Sequence, residues 1–319
     1  MSTQDPLGYN IPLPLRSCWY PVGFPLEIAT NSADIEQSAC EAWGDFTQMS
    51  DAPPARLRIH VTPAGNGTLP APVMPRGQGH LVSIVFGPDH YALADVSRGY
   101  AFVSLTEDAA LNHDWTRYHF LEPLGWLLID ALHTVMVHAS AVARNGRAII
   151  LCGDSGCGKT TLAYACARTG WTFLSGDAVH LIRQLNGFEI RGRPALIRFR
   201  ASAREIFPEL ESYAAEARPN GKTELEILSS RLGLPAACCS EAAHIVFLNR
   251  SSTKMAPGLD PCSKDEALKR LTALVCFGDS AIQAAQRETV ERFLALPVHE
   301  LRYSGTASAE AALGSLLCQ

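Results

Sequence analysis

The run Gly153-Asp154-Ser155-Gly156-Cys157-Gly158-Lys159-Thr160 constrains this chain more than any other stretch. It fits G-x-x-x-x-G-K-[ST] at every fixed position. Before it, Arg147 to Cys152 is continuously apolar after its first residue, the pattern of a strand buried on both faces. After it, Thr161 to Arg168 reads as a helix that Gly170 stops. In a strand–loop–helix of this kind, backbone N–H groups and the helix N-terminus converge on phosphate oxygens. The spacing therefore predicts a nucleotide-binding set of Gly153, Asp154, Ser155, Gly156, Cys157, Gly158, Lys159, Thr160 and Thr161. Lys159 is expected to reach the β- and γ-phosphates, and the Thr160 hydroxyl to ligate Mg²⁺. The plain alternatives are a chance match, or a loop that binds without doing chemistry.

Phosphate binding does not specify a reaction, so the neighbours matter. Trp171 to Ser175 reads as the next strand, followed by Gly176-Asp177. A parallel neighbour of the loop strand would deliver Asp177 beside the terminal phosphate, at the carboxyl end where open α/β sheets collect function. There a carboxylate can accept a proton from an attacking hydroxyl or hold Mg²⁺; a turn former is the plain alternative. His138 to Ala143 reads as a strand joined to Arg147–Cys152 by the hairpin turn Asn145-Gly146. A two-residue loop places His138 opposite Gly153, where the imidazole could bond Asp177 or a phosphate; a strand-edge histidine is the alternative. Arg191 and Arg193 flank a glycine after a probable strand and suit phosphate, or are solvated charge. The turn Pro219-Asn220-Gly221-Lys222 projects Lys222 toward nucleotide or substrate, or merely into solvent.

The rest of the chain bounds the class. With 319 residues and 47% hydrophobic content it is an ordinary globular sequence of about two domains. Arg56–Val61, Leu81–Phe86, Tyr91–Val96 and Tyr100–Leu105 alternate with period two, and Ser97-Arg98-Gly99 reads as a turn. Pro63 to Gly79 reads as loop. Residues 1–121 are thus expected to be a β-rich accessory or substrate-presenting domain, and 122–319 a catalytic α/β domain opened by a helix over Glu122–Thr134. Later elements are expected as a strand over Ala243–Leu248, helices over Ser263–Cys276 and Ser280–Leu296, and a strand over Val298–Tyr303. A net charge of −5 argues against gripping nucleic acid. Ten scattered cysteines without metal-ligand spacing read as reduced thiols, and no apolar run is long enough for a membrane. A cytoplasmic protein is expected, with self-association left open.

Together, His138, Gly153 to Thr160 and Asp177 resemble the catalytic domain of the HPr kinase/phosphorylase family over roughly residues 130–319. The resemblance implies a P-loop kinase domain with a mixed sheet, ATP and Mg²⁺, a catalytic set of Asp177, His138 and Lys159, and metal held by Thr160 and Asp177. By that analogy Asp177 deprotonates the acceptor hydroxyl and His138 supports it. The family usually has two adjacent acids where this chain has Gly176-Asp177, and Ser-Glu where it has Thr160-Thr161. The segment after Arg191 does not match the family signature that accompanies HPr binding. A kinase acting on a serine-type hydroxyl of a peptide, protein or small molecule is therefore expected rather than an HPr kinase. Asn220-Gly221-Lys222 resembles a motif of HPr-kinase-like proteins encoded with peptide-natural-product genes. Three rivals stand: a nucleotide-binding regulatory module without transfer, an ATPase or GTPase coupled to motion, and a phosphoenolpyruvate-carboxykinase-like enzyme. Ser155–Thr161 and Gly176–His180 are similar to the carboxykinase motifs, but that family is much longer.

Overall fold

A computed structural model describes residues 10–63, 69–71, 73–183, 187–218, 221–251, 253, 256–272 and 278–318. Most of the N-terminal segment, together with Pro219, Asn220 and Cys276, lies outside them. The chain is a mixed α/β protein of two compact units, Met1–His133 with Gly278–Ile282, and Thr134–Phe277 with Gln283–Gln319.

The first unit holds one seven-stranded mixed sheet. Its strands are β1 (Leu15–Trp19), β2 (Leu26–Thr30), β3 (Ala55–Thr62), β4 (Arg76–Gln78), β5 (Leu81–Val85), β6 (Tyr91–Asp95) and β7 (Tyr100–Thr106). The order is β1-β2-β3-β7-β6-β5-β4, with β2, β3 and β7 mutually parallel and the rest antiparallel. The alternation read in β3 and β7 is real: Leu57, Ile59, Ala101 and Val103 are buried. Helices α1 (Ala33–Trp43), α2 (Glu107–Leu111), α3 (His113–Thr116) and α4 (Glu122–Leu132) accompany the sheet. The division falls after His133 rather than after residue 121, because α4 belongs to this core. A Cβ on Gly125 would sit 2.6 Å from Trp43 and 3.4 Å from Leu26. The expected loop over 63–79 also contains the short strand β4.

The second unit is built on a nine-stranded mixed sheet: β8 (Thr134–Val137), β9 (Ser140–Arg144), β10 (Arg147–Cys152), β11 (Thr172–Ser175), β12 (Val179–Ile182), β13 (Glu189–Gly192), β17 (Cys239–Arg250), β18 (Gly258–Pro261) and β19 (Val298–Tyr303). A separate antiparallel sheet has the order β14 (Leu196–Arg200), β16 (Thr223–Leu228), β15 (Glu216–Ala217). The helices are α5 (Lys159–Arg168), α6 (Lys264–Thr272), α7 (Ser280–Phe293, from Gln283 onward in this unit) and α8 (Thr306–Leu317). At its centre β10, β17 and β19 run parallel. Side chains alternate between two cores. Ile149, Leu151, Val246 and Leu248 join α5, α8 and the three-stranded sheet, while Ile150, Cys152, Ile245 and Phe247 join α6 and α7. Apolar residues on both faces are what the unbroken run of β10 demands.

The hairpin is as read. Asn145 and Gly146 both have positive φ, 54° and 75°, and Ala148 pairs Ala143, the register of a two-residue loop. Two readings change. His138 is not on a strand: the ladder ends at Ser140 opposite Leu151, and His138 lies in the bend between β8 and β9. Strand β11 is not the neighbour of β10; β9 lies between them, antiparallel to both. The cause is one long ribbon. Val137 pairs Val179 and Ala141 pairs Ser175, so four residues separate the two pairs on each strand. Strands β8–β9 and β12–β11 are thus two halves of a single antiparallel ribbon, broken at 138–139 and 176–178. One half extends the sheet beside β10, the other beside β13. Breaks of this kind re-aim side chains.

All nine described cysteines are free thiols, and no described helix is long and apolar enough to cross a membrane.

Candidate functional site

The glycine-rich loop leaves β10 at Gly153 and enters α5 at Lys159. Two glycines in it are required by geometry. Gly153 has φ +144°, and a Cβ there would lie 2.8 Å from Cys157 Sγ and 3.1 Å from the Leu248 carbonyl. Gly158 has φ +98°, and a Cβ would lie 2.7 Å from Tyr303 Oη. That phenol donates to the Cys157 carbonyl at 2.9 Å, so the end of β19 props the loop from behind. Burial raises the Tyr303 hydroxyl well above the ordinary phenol range, so it stays a donor. Gly158→Ala is expected to cost about 1–3 kcal/mol of stability, read as a lowered thermal unfolding midpoint. Adding Tyr303→Phe should recover part of the loss.

Lys159 is buried and donates to the carbonyls of Gly153 at 2.7 Å and Asp154 at 3.2 Å, which closes the loop into a ring around its ammonium. Thr160 Oγ1 donates to the Gly176 carbonyl at 2.7 Å, and Ser140 Oγ donates to the same oxygen at 2.7 Å. The ribbon break is thereby tied to the start of α5. A hydroxyl that gives its hydrogen to a carbonyl keeps its lone pairs for a cation.

The same break brings the acid and the imidazole together. Asp177 Oδ1 lies 3.1 Å from His138 Nδ1, each residue standing at the break of its own strand. Ser175 Oγ shapes the turn, accepting from the Ala178 N–H at 3.2 Å and donating to the Ala178 carbonyl at 2.5 Å. The Asp177 carboxyl is held below the usual carboxylate range, chiefly by the hydrogen bond to His138, with the charges of His138, Arg198 and Lys159 adding and desolvation opposing. Its side chain is 66% exposed, so solvent screens these interactions.

One cleft collects these groups. His138, Ser155, Lys159, Thr160, Thr161 and Asp177 line it, with Gly156, Gly158 and Lys222. The backbones of Gly153, Asp154 and Cys157 belong to the loop, but these three do not line the cleft; the Cys157 side chain packs against the core behind it. Arg191 is a correction. It lies on β13, enclosed between β12 and β17, is buried, and bonds Glu189 through Nε at 2.7 Å. Arg193, just beyond that strand, does not line the cleft either. The arginines that do are Arg198, Arg200 and Arg250. Arg250 sits at the carboxyl end of β17, the place a parallel strand delivers function, and that signal was available in the apolar run before it. Arg198 and Arg200 come from β14, whose approach to the loop no local pattern announces. Among the described residues no group of three or more His, Cys, Asp and Glu is placed to hold a metal ion.

No family model and no curated protein matches the chain. Among solved structures, the Hpr(Ser) kinase/phosphatase from Coxiella burnetii is similar with 9% identity and a TM-score of 0.29, over 57% of this chain and 93% of that one. A likeness this loose assigns neither the fold nor the activity.

Proposed function

We propose that this chain is an ATP-dependent kinase of HPr-kinase-like architecture that transfers the γ-phosphate to a hydroxyl of a peptide, protein or small-molecule acceptor. The observation that carries the reading is the juxtaposition of a strand–glycine loop–helix cradle with the Asp177–His138 pair in one cleft. The cradle offers backbone N–H groups, a helix N-terminus and Lys159 to a polyphosphate. Asp177 takes the proton of the acceptor hydroxyl as that oxygen bonds to phosphorus and the bond to the departing ADP oxygen breaks. His138 is a positioning residue that orients the carboxylate. A depressed pKa makes Asp177 a weak base, which suffices where bond-making lags bond-breaking and the hydroxyl proton becomes acidic late. Thr160 and Asp177 would hold Mg²⁺ with phosphate oxygens and water, the usual arrangement for this ion. When bound, the ion would neutralise charge between the β- and γ-phosphates. The first unit would present the acceptor.

The test is incubation with MgATP and a mixture of serine- and threonine-containing peptides, read by mass spectrometry. Gain of a phosphoryl group on an acceptor supports the reading. ATP hydrolysis without any acceptor product, or binding with no turnover, would favour a motor-type ATPase or a regulatory module instead.

The pH dependence has a defined sign. Because the folded pKa of Asp177 is lowered, any stability from its pairing is present above the ordinary carboxylate pKa of about 3.9. It is lost as pH falls through the depressed value. The acid limb of the kcat/KM profile, which reports the free enzyme, should therefore lie below the ordinary carboxylate range. His138→Ala removes the principal cause of the depression, so it should move that limb upward. A limb unchanged in the His138→Ala protein would contradict the pairing.

A further inference from the structure

The cleft holds more positive charge than the loop motif accounts for. Five cationic side chains line it (Lys159, Arg198, Arg200, Lys222 and Arg250) against two carboxylates, Asp177 and Glu224. Arg198 is tied to Glu226 on the adjacent strand, Nε to Oε2 at 2.9 Å. Arg200 and Arg250 differ. Both are exposed, and neither has a carboxylate within ion-pair distance among the described residues. They approach the loop at different points. Arg200, the last residue of β14, donates from Nη2 to Ser155 Oγ at 3.1 Å, and its Nη1 is the atom nearest a Cβ placed on Gly156, at 3.4 Å. Arg250, the last residue of β17, brings Cδ to 3.7 Å and Nη1 to 3.9 Å of a Cβ placed on Gly158. Two strands from different sheets thus bring guanidinium groups without a close ion-pair partner to the loop, one at Ser155-Gly156 and one at Gly158, with Glu224 standing across the strand pair from Arg200. Folding gains nothing from gathering an excess of like charge around Lys159. A ligand with several negative charges in a row does, and planar guanidinium forks match phosphate oxygens.

We propose that Arg200 and Arg250 form a two-point clamp on a polyphosphate chain lying along the loop, each donating to a phosphate group. The clamp deepens the kinase reading, since it makes affinity depend on the number of phosphates rather than on the base. The shared chemistry is a run of linked phosphoryl groups, whether carried by a nucleotide or free.

The experiment is calorimetric titration of the full chain, as parent, Arg200→Gln, Arg250→Gln and the double variant, with MgATP, AMP and inorganic tripolyphosphate. Thermal unfolding without ligand checks that each variant is folded. Arg200→Lys and Arg250→Lys keep the charge and serve if a glutamine variant fails to fold. A charge-assisted contact is worth about tenfold or more, so each single glutamine variant should lose about tenfold for MgATP and tripolyphosphate. The double variant should lose about a hundredfold, with AMP changed by less than about threefold. Lysine should restore part of the loss. MgATP and tripolyphosphate affinities within threefold of the parent in both single variants and the double variant would overturn the clamp while leaving the kinase reading standing. A parent that binds tripolyphosphate with this arginine dependence but does not bind ATP would support the clamp and refute the kinase. A parent that binds neither overturns both.

Discussion

Replacing Asp177 with asparagine is expected to lower phosphoryl transfer by about 10²–10⁴-fold, the usual contribution of a positioned acid–base group. MgATP affinity should fall much less than the rate: Asp177 would also help hold Mg²⁺, but Thr160, Lys159 and the loop N–H groups remain. The substitution keeps the size of the side chain and leaves one oxygen to face His138 Nδ1, now 3.1 Å from Oδ1. What it removes is the charge that, on the proposed reading, accepts the proton. Initial rates with an acceptor and a calorimetric Kd for MgATP separate the two effects. Equal losses in binding and rate would move Asp177 from proton acceptor to phosphate-site support. Unchanged transfer would remove it from the reaction.

Lys159→Ala is the second large effect, and it lies in binding. The ammonium now closes the loop through the Gly153 and Asp154 carbonyls. On the proposed reading it is also the group that would reach the outer phosphates. Charge-assisted hydrogen bonds contribute about 1.5–3 kcal/mol, so MgATP affinity should fall by about 10- to 100-fold. AMP, which lacks the outer phosphates, should lose far less. Titration of both ligands reads this directly, and equal losses for AMP would place Lys159 away from the phosphate chain.

How much was legible depended on whether a feature was local. The hairpin was legible because Asn145-Gly146 sets both the turn and the register by itself. The loop was legible because its strand, its glycines and its helix are contiguous. Strand β19 was read at its observed bounds because its ends are marked by Pro297 and Ser304-Gly305. His138 was misplaced on a strand because the break in the β8–β9 ribbon is imposed by two different sets of partners. Strand β8 pairs with β12, while β9 pairs with β10 and β11, and no residue at 138–139 signals the change. The same break explains why β11 is not beside β10. Even so, it is what brings His138 and Asp177 together. Arg191 does not reach the cleft because β13 is interior to the sheet and supplies its own partner, Glu189; its charge in the sequence carries no sign of that position. Arg198 and Arg200 went unread because they enter from a separate sheet, and contacts between sheets leave no periodicity in either strand.

On the proposed reading a triphosphate would lie along the loop with its terminal phosphate facing the Asp177–His138 pair. A crystal structure of the chain with Mg²⁺ and a non-hydrolysable ATP analogue measures this directly. Phosphates are expected in contact with the loop N–H groups and Lys159, and the terminal phosphate next to Asp177, with room for a hydroxyl between them. A nucleotide bound elsewhere, or one on the loop with its terminal phosphate pointing away from Asp177, would contradict it.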